Sequence, residues 1–225
     1  IEKLVADKNE SSQRCAAEII SGLIRGSKHW SYDKVTKLWS LLLPILHTAI
    51  VNMCGETMTD WGLSMAMALD SRDPNRHHWI LEFLVNDPLS DQTSFVACGR
   101  LHMLHAALNQ QTWRNAELAV RLYEYFKQHL SHPFQNIRDK ISSCLTMIFS
   151  KDLILPSDEE MNPPSMKGFF REIMPTLHNL YSYSLSKVNA REAADAAKVS
   201  QEMQTLTLDN DEARENAMRL FKLGE

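Results

Sequence analysis

No segment of this 225-residue chain alternates apolar and polar residues with period two for more than a few positions. Apolar residues recur instead three and four apart, the spacing that lines one face of a helix with 3.6 residues per turn. Between Ser12 and Ile24 that set is Ala16, Ile19, Ile20, Leu23 and Ile24. A second stripe runs Val35, Leu38, Leu42, Ile45, Ala49 and Met53, with Asp33 placed to cap it and Pro44 placed to kink it. Thr57 to Leu69 reads as a third helix. Asp73-Pro74 is a restart signal, followed by the apolar face Trp79, Ile80, Phe83, Leu84. The stretch 86–91 is a loop by composition. Asp91 or Ser94 then opens a helix running to about Asn109, and Asn115 to Leu130 gives another. His132-Pro133 breaks the chain before Phe134 to Ser150, whose single face is Ile137, Ile141, Cys144, Leu145 and Ile148. After an acidic, proline-containing loop at 155–164, helix returns from Gly168 to Leu185, kinked at Pro175. Residues 187–211 read as a linker or marginal helix, and 212–225 as the start of a further unit.

Only seven residues are glycine. That scarcity argues against a glycine-rich phosphate loop, a propeller or a hairpin-rich sandwich. The net charge of −4, from 24 basic and 28 acidic residues, lacks the cationic density of a nucleic-acid sleeve or polybasic membrane anchor. The longest apolar stretch, Leu41 to Val51, is interrupted by Pro44, His47 and Thr48, so no membrane span is expected. Four cysteines (Cys15, Cys54, Cys98 and Cys144) fall in no C-x-x-C pair and read as thiols of a reducing compartment. The sequence opens on Ile1, with neither an initiating Met nor a signal-peptide pattern, which suggests a fragment of something longer.

Helices joined by short loops predict an all-α architecture of antiparallel helix pairs. An internal repeat sharpens this. HEAT units pair two helices over about 40–47 residues. Their second helix often places an Arg ahead of apolar residues three, six and nine or ten positions on. Gln13-Arg14 leads to Ala17, Ile20 and Leu23. Val96 leads through Arg100 to Met103 and Ala107. Ile137-Arg138 leads to Ile141, Cys144 and Ile148, and Ala213-Arg214 to Ala217 and Leu220. Starts at 13, 96 and 137 lie 83 and 41 apart, two repeats and then one, but the copy due near position 54 is not recognisable. We expect a HEAT/armadillo-like α-solenoid in one segment over 1–225, with repeats near 1–56, 57–88, 89–132 and 133–186. An ordinary helical bundle is the competing architecture.

Candidate chemistry is sparse. Cys98, His102 and His105 are spaced four and three apart on one helix face, and three N/S ligands with a fourth group can hold Zn²⁺. The competing reading is a groove of half-buried histidines among Leu101, Met103, Leu104 and Leu108. His77-His78 and His129-x-x-His132 sit at helix ends, as surface or capping residues. No nucleophile elbow, H-E-x-x-H, Walker loop or G-x-G-x-x-G occurs. Asp158-Glu159-Glu160 reads as a solvated loop, with a divalent cation or a basic partner as the alternative occupant. Arg25, Lys28, Lys34 and Lys37 form a small basic edge suited to a phosphate or an acidic partner. The five tryptophans (Trp30, Trp39, Trp61, Trp79 and Trp113) read as packing anchors. A helical-repeat surface without a visible active site is by default a protein-binding surface.

Several blocks closely resemble the family of large HEAT-repeat proteasome activators. They are DKNESSQRCAAEIISGLIRGSKHW (Asp7 to Trp30), DWG (Asp60 to Gly62), SRDP (Ser71 to Pro74), HWILEFLVNDPLS (His78 to Ser90), SFVACGRLHMLHAALNQQTWR (Ser94 to Arg114) and NIRDKISSCLTMIF (Asn136 to Phe149). The likeness is dense over about the first 150 residues and loose beyond Leu155.

The resemblance implies a piece of a long solenoid dome that caps the proteasome core particle at its α-ring and helps open its gate. It implies action without ATP or ubiquitin, on peptides and acetylated histones, in nucleus and cytoplasm, with roles in DNA repair and spermatogenesis. It places this segment in the C-terminal half of such a chain, ahead of the acetyl-lysine-reading region and the aromatic tail that opens the gate. Histone binding would therefore lie outside this segment. No catalytic, cofactor or partner-binding residue transfers to a numbered position here, and no cofactor, nucleic-acid or membrane contact is implied. A general HEAT scaffold of the nuclear-transport or phosphatase-adaptor type is the alternative. A metalloenzyme built on Cys98, His102 and His105 is the third. Because solenoid repeats bury their faces on one another, the isolated segment is expected to self-associate or to be marginally stable.

Overall fold

The computed structural model describes residues 1–70, 77–86, 89, 93–111, 116–151, 165–179 and 182. The Asp73-Pro74 restart, Trp113, the 158–160 carboxylates and the expectations for 187–225 lie outside them. Contacts divide the chain into two compact units, Ile1–Asn162 and Pro163–Glu225.

In the first unit a short helix α1 (Glu2–Ala6) precedes α2 (Glu10–Gly26). Then follow α3 (Tyr32–Asn52), α4 (Met58–Leu69), α5 (His78–Val85), α6 (Ser94–Asn109), α7 (Ala116–Gln128) and α8 (Gln135–Ser150). The described residues contain no strand, and the family of helical pairs that periodicity predicts is what forms. In the second unit, α9 spans 166–179 and buries Phe169, Ile173 and Leu177, a stripe at intervals of four.

The helices sort into two layers. Even-numbered helices stack consecutively, α2 on α4, α4 on α6 and α6 on α8. Odd-numbered helices form the other row, α1 on α3 and α3 on α5. An ion pair of 2.9 Å from Arg121 of α7 to Glu82 of α5 extends that row. Turns connect the layers in hairpins such as α1–α2, α5–α6 and α7–α8. This is the α-solenoid plan, in which each helix buries one side on its own row and another on the opposite row. The three HEAT-like copies at 13, 96 and 137 fall on α2, α6 and α8, all in one layer. The copy missing near 54 is α4, which occupies the expected place in that layer. It went unseen because Trp61, Gly62 and Ser64 replace the usual aliphatic pattern on its buried side.

Several local expectations are corrected. Ser31, not Asp33, is the N-cap of α3, and Asp33 lies in its first turn, where a carboxylate complements the helix dipole. Thr93 caps α6 by accepting from the Val96 amide at 3.3 Å, so the helix opens at Ser94. α5 begins at His78. On α2 the buried side is Gln13, Ala16, Ala17, Ile20, Ser21 and Ile24, whereas Ile19 is exposed. The apolar residues set a stripe one position too wide, because polar Gln13 and Ser21 are drawn inward. α3 continues through Pro44 as a single helix. It is long and apolar enough to cross a membrane, but here Val35, Trp39, Leu42, Leu46, Ala49 and Ile50 are buried in the core.

Candidate functional site

Three hairpins between the layers, α1–α2, α5–α6 and α7–α8, are closed by a long polar side chain reaching back to main-chain carbonyls. Fully buried Gln13 donates through Nε2 to the carbonyls of Asp7 (2.7 Å) and Val5 (3.2 Å), where α1 ends. Its Oε1 accepts from the Trp61 indole N–H at 3.0 Å, which ties α2 to α4. Arg100 of α6 donates to the carbonyls of Phe83 (2.9 Å) and Asn86 (3.3 Å) at the end of α5, with its guanidinium 5.2 Å from the Phe83 ring centroid. Arg138 of α8 donates to the carbonyls of His132 and, at 2.9 Å, Pro133, beyond α7. Helix C-termini leave carbonyls without intrahelical donors, and these side chains satisfy some of them. In α2, Gln13 takes the role that Arg100 and Arg138 play in their repeats. Arg14 instead forms exposed ion pairs with Asp60 (2.8 Å) and Glu10 (3.1 Å).

The candidate metal trio sits on α6, between α4 and α8. Cys98 is buried, and His102 and His105 are half-buried. Lys140 Nζ of α8 lies 2.8 Å from His102 Nδ1. An ammonium only donates, so Nδ1 accepts and the proton of the neutral ring sits on Nε2. That edge of the ring meets α4 at Gly62, where a Cβ would lie 2.8 Å from His102 Cδ2 and closer still to Nε2. Burial first, then the Lys140 charge and His105, pull the His102 pKa down to about 4. The same burial and the same lysine lower that of His105. Burial raises the Cys98 thiol, so it stays protonated at neutral pH.

These features favour the groove of half-buried histidines over the metal alternative. Both ring nitrogens of His102 face neighbours, one of them a cation, and Cys98 is held as the thiol rather than the ligating thiolate. Among the described residues no three His, Cys, Asp or Glu side chains are arranged to hold a metal ion. The trio is a packing junction, in which neutral imidazole bridges three helices of one layer. Beside it Cys144 is fully buried, its Sγ 3.7 Å from the Leu101 carbonyl, and its pKa is pushed up to about 12 by burial.

The remaining sites separate. His77 is wholly buried with Nδ1 2.6 Å from Gln111 Nε2, a core histidine rather than a surface cap, while His78 is exposed. His129 Nδ1 lies 2.8 Å from the Tyr125 carbonyl in the last turn of α7, and His132 Nδ1 accepts from the Phe134 amide at 3.2 Å. His129 fits the C-terminal capping expected of the pair, whereas His132 accepts from the chain leading into α8. Trp39 and Trp61 are buried anchors, but Trp30 is exposed. Lys140, Gly62 and the hub at Gln13 escape sequence reading. A glycine within the apolar α4 pattern was the available signal, since it marks close approach of another chain segment.

The sequence comparisons agree with this architecture. Residues 1–106, from α1 through most of α6, match a family described as "Proteasome activator complex subunit 4-like, HEAT repeat-like". Proteasome activator complex subunit 4 of Homo sapiens is 47% identical over 181 residues, 80% of this chain and 10% of the relative. Proteasome activator complex subunit 4A of Danio rerio shows the same identity and coverage. Proteasome activator complex subunit 4 of Xenopus laevis is 44% identical over an equal length. The chain belongs to the proteasome activator complex subunit 4 family. It spans about a tenth of the length of these relatives. The family match includes Gln13, Trp61, Gly62, Cys98, His102 and His105, so the α2–α4–α6 junctions lie within this family's repeat region.

Proposed function

We propose that this chain is a wall segment of a proteasome activator, built to hold a curved surface rather than to catalyse. The observation that carries the reading is the continuous α2–α4–α6–α8 layer, locked by carbonyl-capping side chains and a neutral histidine junction. Such a layer transmits shape from repeat to repeat and presents one row of helices as a surface. The whole protein would cap the α-ring of the proteasome core particle, promote gate opening without ATP or ubiquitin, and favour peptides and acetylated histones. Contacts with histones would be made elsewhere in the protein, which would work in nucleus and cytoplasm. The segment itself would need no cofactor.

Affinity purification of the full-length protein from nuclear extract, with partners identified by mass spectrometry, tests this. Stoichiometric core-particle α and β subunits are expected. Transport factors or phosphatase subunits in their place would reject the activator reading and leave a general HEAT scaffold.

A further inference from the structure

The corner between α2 and α3 carries features that the wall reading leaves unused. Arg25, Lys28, Lys34 and Lys37 are all exposed there, and Asp33 is the one acidic residue between positions 25 and 37. The chain as a whole is negative, so this corner stands out in sign as well as density. Arg25, in the last turn of α2, suits the helix dipole, but Lys34 and Lys37 lie in the first two turns of α3, where positive charge is unfavourable. Among the described residues Arg25, Lys34 and Lys37 engage no ion pair. Intramolecular stability therefore does not account for these two lysines.

Large apolar side chains stand exposed beside them: Trp30 at 43%, Tyr32 at 58% and Leu41 at 68%. Lys34, Lys37 and Leu41 follow at intervals of three and four on the side of α3 opposite buried Val35, Trp39 and Leu42. Tyr32 stacks on His78 at 6.3 Å and packs 5.3 Å from Trp79, itself 6.3 Å from buried Trp39. The aromatic end of the corner is thus braced by the core and presented in a fixed place.

We propose that this corner docks an acidic peptide segment of a partner protein, one that carries a large apolar residue among its carboxylates. The carboxylates meet Arg25, Lys28, Lys34 and Lys37, and the apolar residue covers Leu41 or Trp30. Charge complementarity selects this occupant. A single-stranded nucleic acid needs a basic groove that follows several phosphates and aromatic faces open to stacking. Here four cations gather at one corner, and one face of the Tyr32 ring is taken by His78.

The test is fluorescence anisotropy of a labelled Asp/Glu dodecapeptide with one central Phe, titrated with the full chain. Lys34→Glu/Lys37→Glu is expected to weaken binding at least about tenfold, because it removes two attractions and adds two repulsions. Leu41→Ala is expected to weaken it several-fold. The same double variant should melt no lower than the parent, since carboxylates suit the start of α3, so lost binding is not lost folding. Binding unchanged by the double variant would overturn the proposal. So would displacement of the peptide by inorganic phosphate alone, or tighter binding of oligothymidylate through the same two lysines.

Discussion

Replacing Gly62 by alanine isolates the junction between α4, α6 and α8. In a solvated helix this change stabilises by about 0.8–1 kcal/mol, because alanine restricts the unfolded chain and favours helix. Here the added Cβ would lie 2.8 Å from His102 Cδ2 and 3.4 Å from Cε1, with Nε2 nearer than either. The ring cannot yield freely, since Lys140 holds its other edge at 2.8 Å. Either α4 and α6 separate or His102 turns and loses that charge-assisted hydrogen bond. Overpacking costs about 1–3 kcal/mol and a hydrogen bond to a charged group about 1.5–3 kcal/mol, the lower values applying to a half-buried site. With the helix gain subtracted, Gly62→Ala should destabilise by about 1–2 kcal/mol, lowering Tm by roughly 2–8 °C. In the His102→Ala background the obstacle is gone, and the same substitution should stabilise by about 1 kcal/mol. Urea and thermal unfolding of the four proteins in this cycle, followed by circular dichroism, give the coupling, expected at about 2–3 kcal/mol. Stabilisation by Gly62→Ala in the parent background would refute the reasoning, because the histidine would then not be fixed.

Gln13→Ala should cost about 2–4 kcal/mol in urea unfolding, as it strips partners from the Trp61 indole and from the carbonyls ending α1; a loss under about 1 kcal/mol would show the hub to be solvated. Acid should weaken the fold through His102, whose folded pKa of about 4 lies below the ordinary 6.5. The unfolded chain then binds more protons, so stability present above about pH 6.5 falls as the pH drops towards about 4. His102→Gln should flatten that slope, and an unchanged slope would assign it to other groups. With a thiol reagent under native conditions, exposed Cys15 should react first, while Cys98 and Cys144 react only on unfolding. Mass spectrometry of the labelled peptides reads the order, and early labelling of Cys144 would show that α6 and α8 open locally.

Helix content, the main helix limits and the repeat class were legible because period and capping chemistry are local. Apolar spacing located α2, α6 and α8 and most of their buried faces within a residue or two. The chemistry of the α6 trio was not legible. Spacing placed Cys98, His102 and His105 on one face, but the neighbours that hold the His102 ring, Lys140 and Gly62, are 38 and 40 positions from it. Ligand-like spacing thus described a packing surface.

The sequence by itself determined that the chain is helical, that its helices pair, and that it carries the signature of a HEAT-repeat family. Each of these follows from the order of side chains along a few turns. Only the tertiary structure decided which helices share a layer, that α4 fills the place of the unrecognised repeat, and that polar Gln13 belongs inside. A glutamine has no helical face of its own. It is buried because the carbonyls ending α1 and the Trp61 indole converge on it, and that convergence exists only when α1, α2 and α4 have packed.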